Sequence, residues 1–537
     1  MPHTAPYPKR WLAMLIVSIS VSMIIMDATV VNVVLPVLIR DLTLSAADAE
    51  WVNSVYALVF AACLITAGRL GDMHGRRRLL LVGTAVFGAA SVLAALAGNG
   101  GILIMARLLQ GLGGAMILPA TLSTVNAMFT GRERGIAFAI WGSTIGGMAA
   151  VGPLAGGWLT TTLSWHWAFL INIPVVLIMF IGTLAVVPET LGEGTRRGLD
   201  PLGIILSIAG LGSIVYGLIE GQRFGWWEPS AVAPHGWPLS PVPVAFAIGI
   251  ACLVAFVLLE RARRAAGKVV LVDLSLFSLR SFRIGSMAAL VVALGEFGML
   301  FALPLFLQGV LGYTALETGV LVVFLAIGTF LISGGTPQLG RRLGGRAVVQ
   351  LGLAAEIVAI AGLALSFSTE TSFWVLAGWL FLYGVGVGLA NAQLTNVILA
   401  DVPVEQSGEA SGLQSTVRQL GSALGIALLG TLLVSTLTTN FSGALDSIAG
   451  LSASDKISVL ALVNGSIGAA IPELTTQNAT AAAVVDAARA ALVDAARLTT
   501  FAAAVVLLLG LVATLRLPGL KTFPAGVDGA PDASDAK

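Results

Sequence analysis

Five ionisable side chains stand inside apolar stretches of this sequence: Asp27, Arg107, Glu296, Glu356 and Arg418. A charge placed in hydrocarbon is costly, so it marks a pathway, a relay or a counter-ion site by default. Asp27 lies in Met26-Asp27-Ala28-Thr29-Val30-Val31-Asn32-Val33-Val34-Leu35-Pro36, and Arg107 opens Arg107-Leu108-Leu109-Gln110-Gly111-Leu112-Gly113-Gly114-Ala115. Their helices run in opposite directions, and at 1.5 Å rise per residue the two depths differ by roughly 5 Å, within reach of an arginine. A carboxylate facing a guanidinium keeps its charge in a low dielectric, and separating the two lets the acid take up or release a proton. The competing reading is a static pair that only locks two helices. Glu296, close to Gly295 and Gly298, suits a cavity wall as a lining or protonation residue, and Arg418 falls near mid-depth of its own stretch. Glu356 reads equally as a functional group or as a structurally buried acid.

The elements that must position these groups follow from composition. The chain has 537 residues, 57% hydrophobic and 11% charged, with a mean hydropathy of +0.94. Soluble domains carry about 25% charge, so this is an all-α polytopic membrane protein. A span needs about 20 apolar residues. Fourteen candidates begin near Trp11, Trp51, Leu79, Ile102, Gly135, Trp167, Pro201, Pro243, Ile284, Ala315, Ala347, Phe373, Gly408 and Thr499. Most of the 29 lysines and arginines fall in alternate connections. The opposite connections hold only Arg40, Arg223, Lys456, Arg489 and Arg497. By the positive-inside rule both termini are cytoplasmic.

The spans group as a bundle over 1–188, a linker segment with spans 7 and 8 over 189–283, a second bundle over 284–516, and a cytoplasmic tail over 517–537. Two six-helix bundles with two inserted helices suit the internal repeats from which many transporters are built. Gly334 to Arg346 reads as a basic, glycine-rich loop in the second half, placed as Gly68 to Leu79 is in the first. An outer loop over 436–498 is rich in Ala, Ser, Thr and Gly. Within it, Thr480 to Arg497 reads as an amphipathic helix at the membrane surface or as a cap over a vestibule.

Other chemistry is excluded or unsupported. Cys63 and Cys252 lie in apolar runs, the four histidines are scattered, and no loop holds a metal-spaced cluster of carboxylates. No Walker motif is present, so ATP is not the energy source, and no basic tail suggests nucleic acid. A polytopic lipid-modifying enzyme remains a distant alternative, although no acid or histidine site stands at a membrane face. Met26, Trp141, Met148, Phe297, Met299 and Phe301 suit an adaptable apolar cavity wall, with core or lipid-facing packing as the competing reading.

Two glycine-rich stretches complete the pattern. Gly68-Arg69-Leu70-Gly71-Asp72-Met73-His74-Gly75-Arg76-Arg77-Arg78-Leu79 is a polar island whose glycines suit a tight turn. Gly146-Gly147-Met148-Ala149-Ala150-Val151-Gly152-Pro153-Leu154-Ala155-Gly156-Gly157 allows close helix approach, with a bend at Pro153.

Together these residues resemble the major facilitator superfamily, and within it the fourteen-helix drug:proton antiporter family. Gly68, Asp72, Gly75, Arg76 and Arg77 are similar to its loop between spans 2 and 3. Arg107, Gln110, Gly111 and Gly113 resemble its span 4 motif. Gly147, Gly152, Pro153, Gly156 and Gly157 resemble the span 5 antiport motif, and Asp27, Thr29, Asn32 and Pro36 the span 1 motif. Leu199-Asp200-Pro201-Leu202-Gly203 resembles the entry to span 7. Gly408, Ala410, Ser411, Gly412, Arg418, Gln419, Gly421 and Gly425 resemble the start of span 13. Trp165-His166-Trp167 departs from the family, where arginine usually stands between the tryptophans; this leaves an ion pair at that corner in question.

The resemblance implies the major facilitator fold and an exporter of amphiphilic, cationic drugs from the cytoplasm across the bacterial plasma membrane. Protons are the coupling ion, no other cofactor is needed, and the protein works as a monomer in the bilayer. Asp27, Arg107 and Glu296 are expected to couple protons, and Asp27, Asn32, Trp141, Glu296, Phe297 and Arg418 to line the substrate cavity. Gly68, Asp72, Gly75, Arg76 and Arg77 would form a conformational latch, and Gly147, Gly152, Pro153, Gly156 and Gly157 a hinge. The alternative substrate is one dedicated lipid, siderophore or secondary metabolite.

Overall fold

No water in a bilayer core can satisfy backbone N–H and C=O groups, so an apolar chain closes its hydrogen bonds within helices. The computed structural model describes residues 7–129, 131–191, 200–230, 239–333, 335–402, 407–448, 450–474 and 479–517, and the regular structure among them is helical. The first half holds α1 (Arg10–Asp41), α2 (Ala46–His74), α3 (Arg76–Ala95), α4 (Gly100–Met128) and α5 (Gly131–Thr162), then the short α6 (His166–Leu170) running into α7 (Asn172–Val186). Next come α8 (Pro201–Phe224) and α9 (Pro241–Ala265). The second half holds α10 (Arg280–Gly309), α11 (Ala315–Ser333), α12 (Thr336–Leu343), α13 (Gly345–Ser366), α14 (Phe373–Leu399), α15 (Ser407–Asp446), α16 (Ala453–Gly465) and α17 (Ala479–Thr514). Among the described residues, 12 helices are long and apolar enough to cross a membrane. Outside that set, α2 and α5, of 29 and 32 residues, match the spans in length, which is compatible with fourteen crossings.

The helix starts are written locally. Ser45 and Asp48 form a reciprocal capping box at α2, and Asn99 accepts from the Ile102 amide at α4. Asp200 explains the Asp-Pro-Leu-Gly entry to α8. Its Oδ1 accepts from the Gly203 amide at 2.9 Å, Pro201 fills the first helical turn, and Arg263 of α9 reaches Oδ2 at 3.1 Å. A Cβ at Gly203 would fall 2.6 Å from Asp200 Oδ2 and 2.8 Å from Glu260 Oε1, so only glycine leaves room.

The two halves echo one another in detail. Gly75 (φ +114°) separates α2 from α3, and Gly344 (φ +83°) separates α12 from α13; both conformations favour glycine. Two residues beyond each glycine an arginine caps the last helix of its own half. Arg77 Nη2 donates to the Leu184 carbonyl of α7 at 2.6 Å. Arg346 donates to the carbonyls of Leu515 and Leu517 at the end of α17, at 2.6 and 3.0 Å. Orphan carbonyls at helix C-termini take cationic donors well. The stretch expected as a basic loop over Gly334 to Arg346 is therefore partly helical, as α12.

The face carrying these arginines is the basic face, and the halves meet away from it. There α2 packs on α15 and α5 on α11. Gln308 Nε2 of α10 donates to the Val33 carbonyl of α1 at 2.8 Å, and the Leu316 amide of α11 donates to Thr161 Oγ1 of α5 at 3.1 Å.

The segment expected as a long loop over 436–498 is largely helical. α15 continues to Asp446, α16 follows, and α17 runs unbroken through Thr480 to Arg497 into the last span. That amphipathic stretch is not a separate helix: at 36 residues, α17 is longer than the bilayer core is thick. Alanine is the strongest helix former, so an alanine-rich stretch extends a helix. The connection before α17 covers the end of α10, where a Cβ at Gly309 would lie 2.8 Å from the Gly468 carbonyl. Arg40 of α1 lies 3.7 Å from Glu473 in the same connection. Of the tail over 517–537, only Leu517 is among the described residues.

Candidate functional site

Asp27 and Arg107 meet as their depths suggest. Arg107 Nη1 lies 2.5 Å from Asp27 Oδ2, and both side chains are 1% exposed. The pair is embedded in a wider network. Gln110 Nε2 and Asn172 Nδ2 donate to Asp27 Oδ1 at 2.9 and 2.8 Å. Both also reach Ser91 Oγ, at 3.0 and 3.2 Å. Arg107 further donates to Gln110 Oε1 at 2.8 Å and to the Val52 carbonyl at 3.2 Å, and its guanidinium lies 4.4 Å from the Tyr56 ring centroid. Asp27 thus accepts from three side chains on two helices, α4 and α7. A carboxylate so surrounded is held by charge-assisted bonds, the strong class of hydrogen bond. Of these partners, Gln110 belonged to the recognised motif. Asn172, Ser91 and Tyr56 did not stand out, because neutral polar residues are common in apolar runs; the step Asn172-Ile173-Pro174 inside such a run was the available signal.

A second polar centre joins α10, α14 and α15. Arg418 Nη2 lies 3.7 Å from Glu296 Oε2, with Glu296 6% and Arg418 32% exposed. Asn391 bridges them: its Oδ1 accepts from Arg418 Nη1 at 2.8 Å, and its Nδ2 donates to Glu296 Oε1 at 3.2 Å. Thr395, one turn along α14, donates to the Asn391 carbonyl and accepts from Gln414 Nε2 at 2.8 Å. Glu296 and Arg418 were singled out separately, and the fold brings them together through Asn391. Glu356 is fully buried on α13, and neither carboxyl oxygen has a hydrogen-bond partner among the described residues. It lies against Gly386 of α14, where a Cβ would meet its Cγ at 2.6 Å.

The two centres differ in access. The Asp27 network is closed, whereas Arg418 is open enough to touch a bound molecule. Asn32 is half-buried on α1 and Phe297 is half-buried against the core. Met299 and Phe301 are not cavity walls: at 0% and 1% exposure they are core residues, because their side of α10 faces other helices. The Trp141 side chain lies outside the described residues.

The glycine stripe of α5 is clamped between both halves. A Cβ at Gly152 would collide with Thr29, and one at Gly156 would lie 2.9 Å from Val30, both on α1. A Cβ at Gly157 would strike the Ala315 carbonyl at the start of α11, and one at Gly319 of α11 the Pro153 carbonyl. Gly147 lies on α5, but its surroundings fall outside the described residues.

In the basic loop, Gly68 packs near Pro119, and a Cβ at Gly75 would sit 2.5 Å from Glu189 Oε1. Arg76 donates to the Ser123 carbonyl at 3.2 Å, and the Arg77 amide to Glu189 Oε1 at 3.1 Å. These contacts stay within the first half or its exit, whereas Arg69 reaches beyond it, to the Val270 carbonyl. The Asp72 side chain lies outside the described residues. At the Trp165-His166-Trp167 corner, Trp165 stacks on His166 at 3.8 Å and meets Phe169 edge-on at 6.3 Å, so ring contacts hold it. Among the described residues no group of His, Cys, Asp and Glu suits a metal ion.

A family profile described as Major Facilitator Superfamily matches residues 17–426. The puromycin resistance protein pur8 of Streptomyces alboniger is 35% identical over 435 residues, covering 79% of this chain and 82% of that protein. The multidrug efflux pump LfrA of Mycolicibacterium smegmatis is 31% identical over 511 residues, covering 94% and 96%. Among solved structures, a bacterial homologue of the human lysosomal transporter Spinster, in an inward-facing and unoccupied conformation, aligns with a TM-score of 0.61 at 17% identity. That alignment covers 95% of this chain and 98% of the other.

Proposed function

The chain belongs to the major facilitator superfamily, and from that premise we propose that it exports amphiphilic, cationic compounds from the cytoplasm in exchange for protons. It is a multi-pass protein of the bacterial plasma membrane, related to efflux and resistance proteins. The observation that carries the mechanism is the buried Asp27–Arg107 pair, a charge-compensated acid inside a span with both side chains 1% exposed.

In this reading the halves 1–188 and 284–516 rock against each other, with 189–283 linking them, and the basic face is cytoplasmic. Both termini lie on that side. Separating Asp27 from Arg107 exposes the acid to a proton, and restoring the pair releases it. Glu296 attracts the cation, Arg418 and Asn391 orient it, and Asn32 and Phe297 line the route. Gly68, Asp72, Gly75, Arg76 and Arg77 set the basic-face turn, and the α5 glycines with Pro153 form the contact that must open. No ATP, metal or organic cofactor takes part, the protein acts as a monomer, and it catalyses no covalent step. The name of pur8 favours a second reading, export of one antibiotic.

The test is drug-driven collapse of a proton gradient in inverted vesicles. Collapse on adding a lipophilic cation supports the reading; transport without proton movement refutes the coupling.

A further inference from the structure

Glu50 is a further buried acid, at the contact between halves remote from the basic face, and neither centre above uses it. It stands in the second turn of α2 at 2% exposure, and its Oε2 has no hydrogen-bond partner among the described residues. Asn53 and Ser54, on the same face of α2, are 6% and 0% exposed, and among the described residues Asn53 Nδ2 and Ser54 Oγ also lack partners. Across from Glu50 is Gly430 of α15. A Cβ there would lie 3.0 Å from the Glu50 carboxyl carbon and 3.2 Å from Oε1, so the acid rests on bare backbone.

The inserted helix α8 closes the niche. Trp51 Nε1 donates to Glu220 Oε1 at 3.0 Å, and Thr431 Oγ1 of α15 donates to the Leu218 carbonyl at 3.0 Å. Below lies an apolar layer of Ala57, Leu58, Val215, Ile219, Ala423 and Ala427.

Among the described residues, the charges around Glu50 do not compensate it. From α8 comes another acid, Glu220, whose Oε2 lies 3.6 Å from Arg223; Tyr216 sits beside Trp51 at 6.5 Å between rings. α15 has no ionisable residue between Arg418 and Asp446. On α2 itself, Asp48 is engaged with Ser45. From α4, Arg107 approaches α2 at the Val52 carbonyl and Tyr56, but it is bound to Asp27. A bare carboxylate in this niche would be an uncompensated buried charge, whereas a protonated acid can donate to a neighbour and bury cheaply.

We propose that Glu50 is a proton-binding site on which closure of the α2–α15 contact depends. With α15 drawn away, Glu50 faces the outside and exchanges its proton there. With the proton bound, it can lie against Gly430 and the contact closes. Acid outside therefore favours the closed contact, and alkali opens it. The inference rests on alternating access as read above but not on Asp27 as the coupling acid.

The test uses the full chain in lipid nanodiscs, with Cys63 and Cys252 replaced and spin labels at Ser45 and Asn440, which are exposed near the two helix ends. Distances between the labels are measured across a pH series. The closed-to-open ratio of the parent should rise as pH falls, by up to about tenfold per pH unit, the limit for one proton. Glu50→Gln, permanently neutral, should be closed at every pH. Gly430→Ala, which displaces the carboxyl, should be more open throughout, and it shows that the labels report this contact. A parent with no pH response, or Glu50→Gln retaining the parental response, overturns the proposal. The same variants are assayed for drug–proton exchange. An unresponsive contact in a parent that still exchanges refutes this inference alone; a responsive contact without exchange refutes the coupling reading alone.

Discussion

Asn172 of α7 donates Nδ2 to Oδ1 of Asp27 on α1, at 2.8 Å, inside a buried cluster. That bond fixes the carboxyl plane from the side opposite Arg107 and ties the sixth span to the first. It makes the acid's orientation a property of three helices.

Asn172→Ala removes one of three donors to Asp27 and should cost about 0.5–1.5 kcal/mol of stability, the range for one hydrogen bond. Drug-driven proton flux should fall much further than folding does. Thermal unfolding of purified protein and vesicle transport, measured side by side, check this. Equal transport at reduced stability would make Asn172 a packing residue only.

Glu296→Gln keeps the bridge to Asn391 but removes the charge facing Arg418. Affinity for a monovalent lipophilic cation should fall by roughly tenfold, about 1.4 kcal/mol, while a neutral compound of similar shape binds unchanged or better. Binding of both ligands to detergent-solubilised protein decides it. Equal losses for the two would place Glu296 in the scaffold.

Gly75→Ala and Gly344→Ala test the repeated turn. Both place a side chain at positive φ, at a cost of about 1–3 kcal/mol each. Gly75 also lacks space, with Glu189 beside it, whereas among the described residues nothing lies within 4 Å of a Cβ at Gly344. Denaturation should show Gly75→Ala as the more damaging, and replacing Glu189 by Ala should narrow the difference. The reverse order would contradict the packing at Gly75.

The fold and the first polar centre were legible because charges in apolar runs are rare, and the depths of Asp27 and Arg107 follow from helix rise alone. Rotation about each helix axis was not legible. That is why Asn172, Ser91 and Asn391 went unnoticed and why Met299 and Phe301 stood open between cavity wall and core. Glu50 was hidden for another reason: near the end of its helix, it reads as an ordinary surface acid until α15 is placed over it. The outer segment was misjudged because alanine, serine and threonine suggest a loop by composition, while alanine favours helix by propensity.

The central claim is that Asp27 couples protons to export. Asp27→Asn preserves shape but cannot ionise, and its amide faces Gln110 and Asn172, which are donors themselves. In inverted vesicles carrying a proton gradient, the parent should discharge the gradient when a lipophilic cation is added. The folded Asn variant should bind the cation but discharge nothing. Parental discharge by Asp27→Asn would contradict the account.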